Sequence, residues 1–252
     1  MIEIFILSII QGITEFLPIS SSSHLIIVSK LLDFQNHNLV TDVCLHVGSL
    51  IAVLIYFFND FINFIKNRDL FIKILISSLP VMLVGFFLVK TNYIENLRNI
   101  EIIGWTTILF GILLYVSDKY RFNKNIKSDL KYKSAIFIGL FQVISLIPGV
   151  SRSGITITAA RFLNFKRTDA AKISFLLSIP TLCAVSVFGV KNIYLSGDFQ
   201  ISLLNIFSIF FSFIFSFATI KFFIKFLKKF DLRIFALYRL LLGTILLIIF
   251  YS

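Results

Sequence analysis

Residues 11–24 read Gln11-Gly12-Ile13-Thr14-Glu15-Phe16-Leu17-Pro18-Ile19-Ser20-Ser21-Ser22-Ser23-His24. The stretch places an amide, a carboxylate, a run of serine hydroxyls and an imidazole between apolar segments. Polar groups of this kind are costly inside a membrane, so the stretch is by default a candidate functional site. A second stretch repeats its order of apolar segment, proline, serines and apolar segment: Gln142-Val143-Ile144-Ser145-Leu146-Ile147-Pro148-Gly149-Val150-Ser151-Arg152-Ser153-Gly154-Ile155-Thr156. We expect the fold to bring the two stretches together.

The composition identifies the class of protein. The chain has 252 residues, of which 58% are hydrophobic and 15% charged. A soluble domain needs a more polar surface than this, and the long continuous apolar runs favour helices over a transmembrane barrel. The chain has a net charge of +11. In a membrane protein such an excess of Lys and Arg is explained by cytoplasmic loops next to anionic headgroups, so it does not indicate nucleic-acid binding. Cys44 and Cys183 stand alone in apolar segments, so they predict neither a disulfide framework nor a zinc site.

Apolar runs and loop charges predict the topology. Six runs are candidate spans: 43–58, 70–89, 102–117, 173–190, 201–220 and 234–251. Two pairs are too short or too polar to cross: 1–17 with 19–32, and 134–147 with 154–163. Basic residues collect at 118–133 and 221–233, with smaller sets at Lys66/Arg68 and Lys166/Arg167/Lys172, which places these loops in the cytoplasm.

These positions predict an all-α polytopic membrane protein. It would have about six full transmembrane helices and two re-entrant helical hairpins that enter from opposite faces. We expect a single integral membrane domain over 1–252, built as an inverted repeat with halves of approximately 1–117 and 118–252. Folds of this kind place their site near the middle of the membrane, and here both chain termini would lie outside.

The tips of the two hairpins are expected to bind an anion. In each tip a proline ends one helix and serines begin the next, which leaves free N–H groups and hydroxyls at a helix N-terminus. Phosphate is the commonest biological anion for such a site, and Arg152 adds a planar fork suited to it. The candidate phosphate-binding residues are Ser20, Ser22, Ser151, Arg152, Ser153 and Thr156.

The first tip also carries candidate catalytic groups. Gln11 and Glu15 are spaced i, i+4 and share a helix face, where they could hold a hard divalent cation together with substrate phosphates. Ser21 and His24 are spaced i, i+3, which suits an activated nucleophile or a proton shuttle.

Plainer interpretations stay open for the same residues. Serines in membrane helices often bond only to the preceding turn or let helices pack closely. Glu15 and Arg152 could form a purely structural ion pair. His46 begins an apolar span and is expected to be a core or interface histidine more readily than a ligand.

Taken together, the two stretches resemble the bacterial undecaprenyl-diphosphate phosphatases of the bacitracin-resistance type. The similarity covers nearly the whole chain and is strongest in residues 11–24 and in Pro148-Gly149-Val150-Ser151-Arg152-Ser153-Gly154-Ile155-Thr156. Segments 45–53 and 175–180 also look like segments of that family. The resemblance implies hydrolysis of undecaprenyl diphosphate to the monophosphate carrier and phosphate, which recycles the carrier for cell-wall synthesis and confers bacitracin resistance.

The resemblance also implies roles for particular residues. The family's Glu/Gln-x-x-x-Glu motif falls on Gln11 and Glu15, its active serine on Ser21, its histidine on His24 and its phosphate-binding arginine on Arg152. A divalent cation, Mg²⁺ or Ca²⁺, is implied, although glutamine at position 11 leaves one carboxylate instead of two. The enzyme would lie in the bacterial inner membrane with its site open to the outer side. A homodimer is one option for its assembly.

Other classes of function fit less well. A transporter or lipid flippase would share the inverted hairpins, but a pure carrier needs neither a nucleophile nor an acid–base pair. A lipid phosphatase of the phosphatidic-acid type would need a second histidine soon after Ser-Arg, and residues 153–158 contain none. A purely structural membrane protein would leave both polar stretches unexplained.

Overall fold

The described residues form a bundle of helices. The computed structural model describes residues 1–34, 38–59, 62, 68–91, 97, 99–119, 123–196 and 202–251. Its named helices are α1 (Ile2–Thr14), α2 (Ser21–Leu31), α3 (Leu39–Tyr56), α4 (Arg68–Lys90), α5 (Ile100–Asp118), α6 (Ile126–Asp129), α7 (Tyr132–Val143), α8 (Arg152–Phe162), α9 (Arg167–Ser196), α10 (Leu203–Phe226) and α11 (Arg233–Tyr251). A short 3₁₀ turn at Ile144–Leu146 extends α7.

Six of these helices are long and apolar enough to cross a membrane. They are α3, α4, α5, α9, α10 and α11, which correspond to the six predicted spans. The helix at Ile2–Thr14 and the segment Tyr132–Leu146 are apolar but shorter. The prediction of an all-helical, multi-pass membrane protein is therefore confirmed. Of the basic residues used to predict the topology, Lys66 and Arg121 lie outside the described residues.

Pairs of helices from the two halves of the chain pack against each other. Helix α1 packs on α10, α7 packs on α4, α3 packs on α9, and α5 packs on α11. Small residues permit the closest approaches, because a Cβ built on Gly139 would lie 2.5 Å from the carbonyl oxygen of Ser77. Buried aromatic rings fill the centre, where the centroids of Phe16 and Phe175 are 5.3 Å apart. The short helices α1 and α7 thus each pack against a span of the opposite half.

One end of the bundle is joined through Asp118, the last residue of α5. Its carboxylate accepts two bonds from Arg167, at 2.8 and 3.0 Å, and lies 3.1 Å from Nη2 of Arg161. It also accepts the backbone N–H of Leu232 at 3.0 Å. The start of α9, the end of α8 and the turn before α11 therefore meet at this end. At the opposite end of α5, the Tyr251 hydroxyl donates to Glu101 at 2.7 Å.

Candidate active site

The two polar stretches form turns with the same backbone geometry. Ser20 precedes α2 with φ 75° and ψ 96°, and Ser151 precedes α8 with φ 68° and ψ 114°. A left-handed φ is unusual for serine and persists only where the surroundings impose it, which is common at functional sites. Gly149 in the second turn has φ 92°. The two helices α2 and α8 thus start from matching strained turns.

Glu15 lies at the centre of the site and is shared by both turns. Its Oε2 accepts from the Ser21 hydroxyl at 2.7 Å and from the Gln11 side-chain amide at 3.1 Å. Its Oε1 accepts from Nη2 of Arg152 at 2.6 Å. The expectation that the fold brings Gln11, Glu15, Ser21 and Arg152 together agrees with this geometry.

Arg152 is held by two acceptors at once. While Nη2 bonds Glu15, Nη1 donates to the backbone carbonyl of Ser174 in α9 at 3.2 Å. The side chain of Arg152 is 14% exposed and that of Glu15 is 7% exposed, so the pair is mostly removed from solvent. An ion pair at this depth needs such additional hydrogen bonds to offset the loss of hydration. Part of the Arg152 side chain nevertheless stays accessible.

Ser21 and His24 do not bond each other in this structure. The hydroxyl of Ser21 donates to Glu15, whereas Nδ1 of His24 lies 2.7 Å from the carbonyl oxygen of Ser20. The other ring nitrogen, Nε2, lies 2.6 Å from the hydroxyl of Tyr238 in α11. The immediate partner of the candidate nucleophile is therefore the carboxylate and not the imidazole.

The other predicted phosphate-binding hydroxyls have different surroundings. Ser153 donates to the carbonyl oxygen of Leu17 at 2.7 Å, which joins the second turn to the first. Thr156 bonds the carbonyl oxygen of Arg152 and the hydroxyl of Ser174, both at 2.8 Å. Ser151 caps α8 by accepting the N–H of Gly154 at 3.1 Å. Ser20 is buried and lies 3.0 Å from the hydroxyl of Ser23, while Ser22 is exposed.

Arg239 is a site residue that the sequence analysis missed. Its side chain is fully buried in α11, and its guanidinium donates to the carbonyl oxygens of Pro18, Gly149, Val150 and Thr107 at 2.8–3.3 Å. Pro18 belongs to the first turn, and Gly149 and Val150 belong to the second. One arginine thus fastens both turns to α5 and α11. The sequence did contain a signal for Arg239, because a charged residue inside an apolar span is by default a candidate functional residue.

His46 lies at the edge of the site. Its Nδ1 is 3.0 Å from the Gln11 amide nitrogen and 4.0 Å from Oε2 of Glu15. The amide nitrogen can only donate, so Nδ1 accepts this bond and the hydrogen of a neutral ring resides on Nε2. The sequence analysis expected a core or interface residue, and the structure places the partly buried His46 against the candidate catalytic groups.

The side chains around Glu15 offer few ligands for a divalent cation. Among the described residues no group of three or more histidine, cysteine or acidic side chains could hold a metal ion by itself. The side-chain oxygen of Gln11 is nevertheless buried and has no hydrogen-bond partner among the described residues. An orphaned amide oxygen beside one carboxylate fits Mg²⁺ or Ca²⁺, provided that substrate phosphates complete the shell.

A family model and individual relatives of this chain indicate the same protein family. A family model described as bacitracin resistance protein BacA matches residues 4–245. An undecaprenyl-diphosphatase from Pelagibacter ubique is 47% identical over 252 residues, which covers 100% of this chain and 98% of the relative. A protein of the same name from Jannaschia sp. is 38% identical over 262 residues, with 99% and 98% covered, and one from Alteromonas mediterranea is 38% identical over 258 residues, with 97% of each covered.

Proposed function

This chain belongs to the BacA family of bacitracin resistance proteins, and on that premise we propose that it is an undecaprenyl-diphosphatase. It removes the terminal phosphate of undecaprenyl diphosphate and returns the monophosphate carrier to cell-wall synthesis. The relatives described above carry this name, and each matches this chain over at least 97% of its own length. The activity makes the cell resistant to bacitracin.

The observation that carries the proposal is the Ser21–Glu15–Arg152 chain of contacts. A hydroxyl, a carboxylate and a guanidinium are linked by bonds of 2.7 and 2.6 Å. A candidate nucleophile next to a group that can take its proton, with a phosphate-binding cation adjacent, is what phosphoryl transfer requires. A structural ion pair alone would not need the serine.

In the proposed reaction the residues of the site have distinct roles. Arg152 and the N–H groups at the start of α2, which lack a side-chain cap, bind the diphosphate. The hydroxyl of Ser21 attacks the terminal phosphorus and passes its proton to Glu15, while the bond to undecaprenyl phosphate breaks. Water then attacks the phosphorus of the phosphoserine, the bond to the Ser21 oxygen breaks, that oxygen takes the proton back from Glu15, and inorganic phosphate leaves. Stabilisation of the charge on the transferred group is the main source of rate enhancement.

A divalent cation, Mg²⁺ or Ca²⁺, completes this proposal. The carboxylate of Glu15 and the free oxygen of Gln11 would hold it. When bound, the ion would neutralise charge on the diphosphate. His24 follows the first turn, is partly exposed, and would take up or release a proton during the reaction.

The arrangement in the membrane is part of the proposal. The two turns are the tips of re-entrant hairpins, α1–α2 and α7–α8, in an inverted repeat whose site opens to the outer face of the inner membrane. Three observations support this: the matching strained serines, the equal separations of Gln11 from Ser20 and of Gln142 from Ser151, and the contacts of both tips with Arg239, which lies inside the apolar span α11. The basic end around Asp118 is then cytoplasmic.

Phosphate release tests the activity. Purified protein in detergent is given undecaprenyl diphosphate with Mg²⁺ or Ca²⁺, and Ser21→Ala is compared with Ser128→Ala, which removes an exposed hydroxyl far from the site. We expect Ser21→Ala to release phosphate at least about 100-fold more slowly and Ser128→Ala to match wild type. Folded wild-type protein that releases no phosphate would contradict the proposal and favour transport of lipid phosphate, which liposomes would then measure.

A further inference from the structure

Tyr238 contacts the candidate catalytic histidine and has no place in the mechanism so far. Its hydroxyl lies 2.6 Å from Nε2 of His24, and the two rings are nearly parallel, with centroids 5.7 Å apart and an interplanar angle of 11°. Tyr238 is 39% exposed, so the residue lies at the surface of the described bundle. The residue that follows it, Arg239, fastens both turns.

The hydrogen bonds of His24 fix its tautomer. Nδ1 lies 2.7 Å from the carbonyl oxygen of Ser20, and a carbonyl can only accept, so Nδ1 carries a hydrogen. In the neutral ring Nε2 is then an acceptor, and the Tyr238 hydroxyl is its donor. The tautomer and the ring orientation therefore depend on two contacts, one from the strained turn and one from α11.

We propose that Tyr238 is a positioning residue: by donating its hydroxyl to Nε2, it holds the His24 imidazole in its Nδ1–H form and in one orientation. This inference rests on the proposed function, in which His24 manages protons. The hydroxyl keeps Nε2 directed at Tyr238, and together with the bond at Nδ1 it fixes the orientation of the imidazole. Without the hydroxyl, His24 would sample other orientations and catalyse less often per bound substrate.

A double-mutant cycle tests whether Tyr238 acts through His24. Tyr238→Phe removes only the hydroxyl, and Tyr251→Phe makes the same change at the far end of α11. We expect Tyr238→Phe to lower kcat about 3- to 10-fold with little change in KM, and Tyr251→Phe to leave both unchanged. In a His24→Ala background, Tyr238→Phe should cause no further loss.

Several outcomes would overturn the inference. An unchanged kcat, a change confined to KM, or a second loss in the His24→Ala background would each show that the hydroxyl does not act through His24. The ¹⁵N chemical shifts of the imidazoles provide a test that needs no activity, because the chain has three histidines and His24→Ala assigns one of them. A neutral His24 with its hydrogen on Nε2 would contradict the proposal even if the enzyme is active. If wild type is inactive, the proposed function fails, and the imidazole shifts of wild type and Tyr238→Phe alone decide whether the hydroxyl holds the His24 tautomer.

Discussion

Nη2 of Arg152 lies 2.6 Å from Oε1 of Glu15, although the two residues are 137 positions apart in the chain. The bond joins the residue that caps the C-terminus of α1 to the first residue of α8. Neither tip alone holds a hydroxyl, a carboxylate and a guanidinium in contact. The site therefore exists only when both halves of the chain have folded and docked.

Arg239 is expected to be essential for this docking. Replacement by leucine would leave the carbonyl oxygens of Pro18, Gly149 and Val150 without their charged donor in a buried environment. We predict a loss of about 3 kcal/mol in stability and of nearly all activity for Arg239→Leu. Thermal unfolding in detergent and phosphate release measure the two effects.

The matched control lies on the same helix. Arg233 is exposed and pairs with Asp231 at 3.2 Å, and exposed pairs of this kind contribute little. Arg233→Leu should therefore keep the wild-type Tm within a few degrees. Equal effects of the two variants would mean that the bonds of Arg239 to the turns do not hold the site together.

Gly149 is expected to tolerate no side chain. Its φ is +92°, and a Cβ would lie 2.0 Å from Oγ1 of Thr106 and 2.8 Å from the carbonyl oxygen of Ile103. Alanine there must displace the second turn from α5, so we predict a lower Tm and at least about tenfold slower phosphate release for Gly149→Ala.

Gly85→Ala serves as its comparison. A Cβ on Gly85 would meet its nearest neighbour, Cδ2 of Leu146, at 3.4 Å, and alanine is the better helix former inside α4. This variant should be active and at least as stable as wild type. Wild-type behaviour of Gly149→Ala would show that the turn is not tightly packed on α5.

The cation proposal predicts a gain of affinity. Gln11→Glu would place a second carboxylate beside Glu15, and cation affinity rises with the number of charged ligands. We expect the Mg²⁺ concentration for half-maximal activity to fall about tenfold, and EDTA to abolish activity in both proteins. Glu101→Gln, a change at the far end of α5, should leave the Mg²⁺ dependence unchanged. An unchanged dependence in Gln11→Glu would place the cation elsewhere.

The sequence predicted the six spans because hydropathy is a local property of the chain. The six spans could be read from continuous apolar runs, and the broken short pairs from Pro18 and Pro148. It also predicted which polar stretches meet, since both would be costly to bury apart. These features depend on residue type and not on three-dimensional contacts.

The contacts within the site could not be read in the same way. The spacing of Ser21 and His24 indicated a pair, and both residues lie in α2, but Ser21 bonds Glu15 while His24 contacts the Ser20 carbonyl and Tyr238. A spacing rule predicts a shared helix face and not the partners that other parts of the chain supply. Arg239 and Tyr238 come from a helix more than 200 positions further along the chain than His24, and only the packing of α11 brings them to the site.

The most direct test of a single site built from two tips is a double-mutant cycle on Glu15 and Arg152. Phosphate release from undecaprenyl diphosphate is measured for Glu15→Gln, Arg152→Gln and the double variant, with Tm recorded for each. When two groups act as one unit, removing either group costs about as much activity as removing both. We predict that each single variant is about as inactive as the double variant. Losses that multiply in the double variant would show that the tips act independently, which would contradict the account.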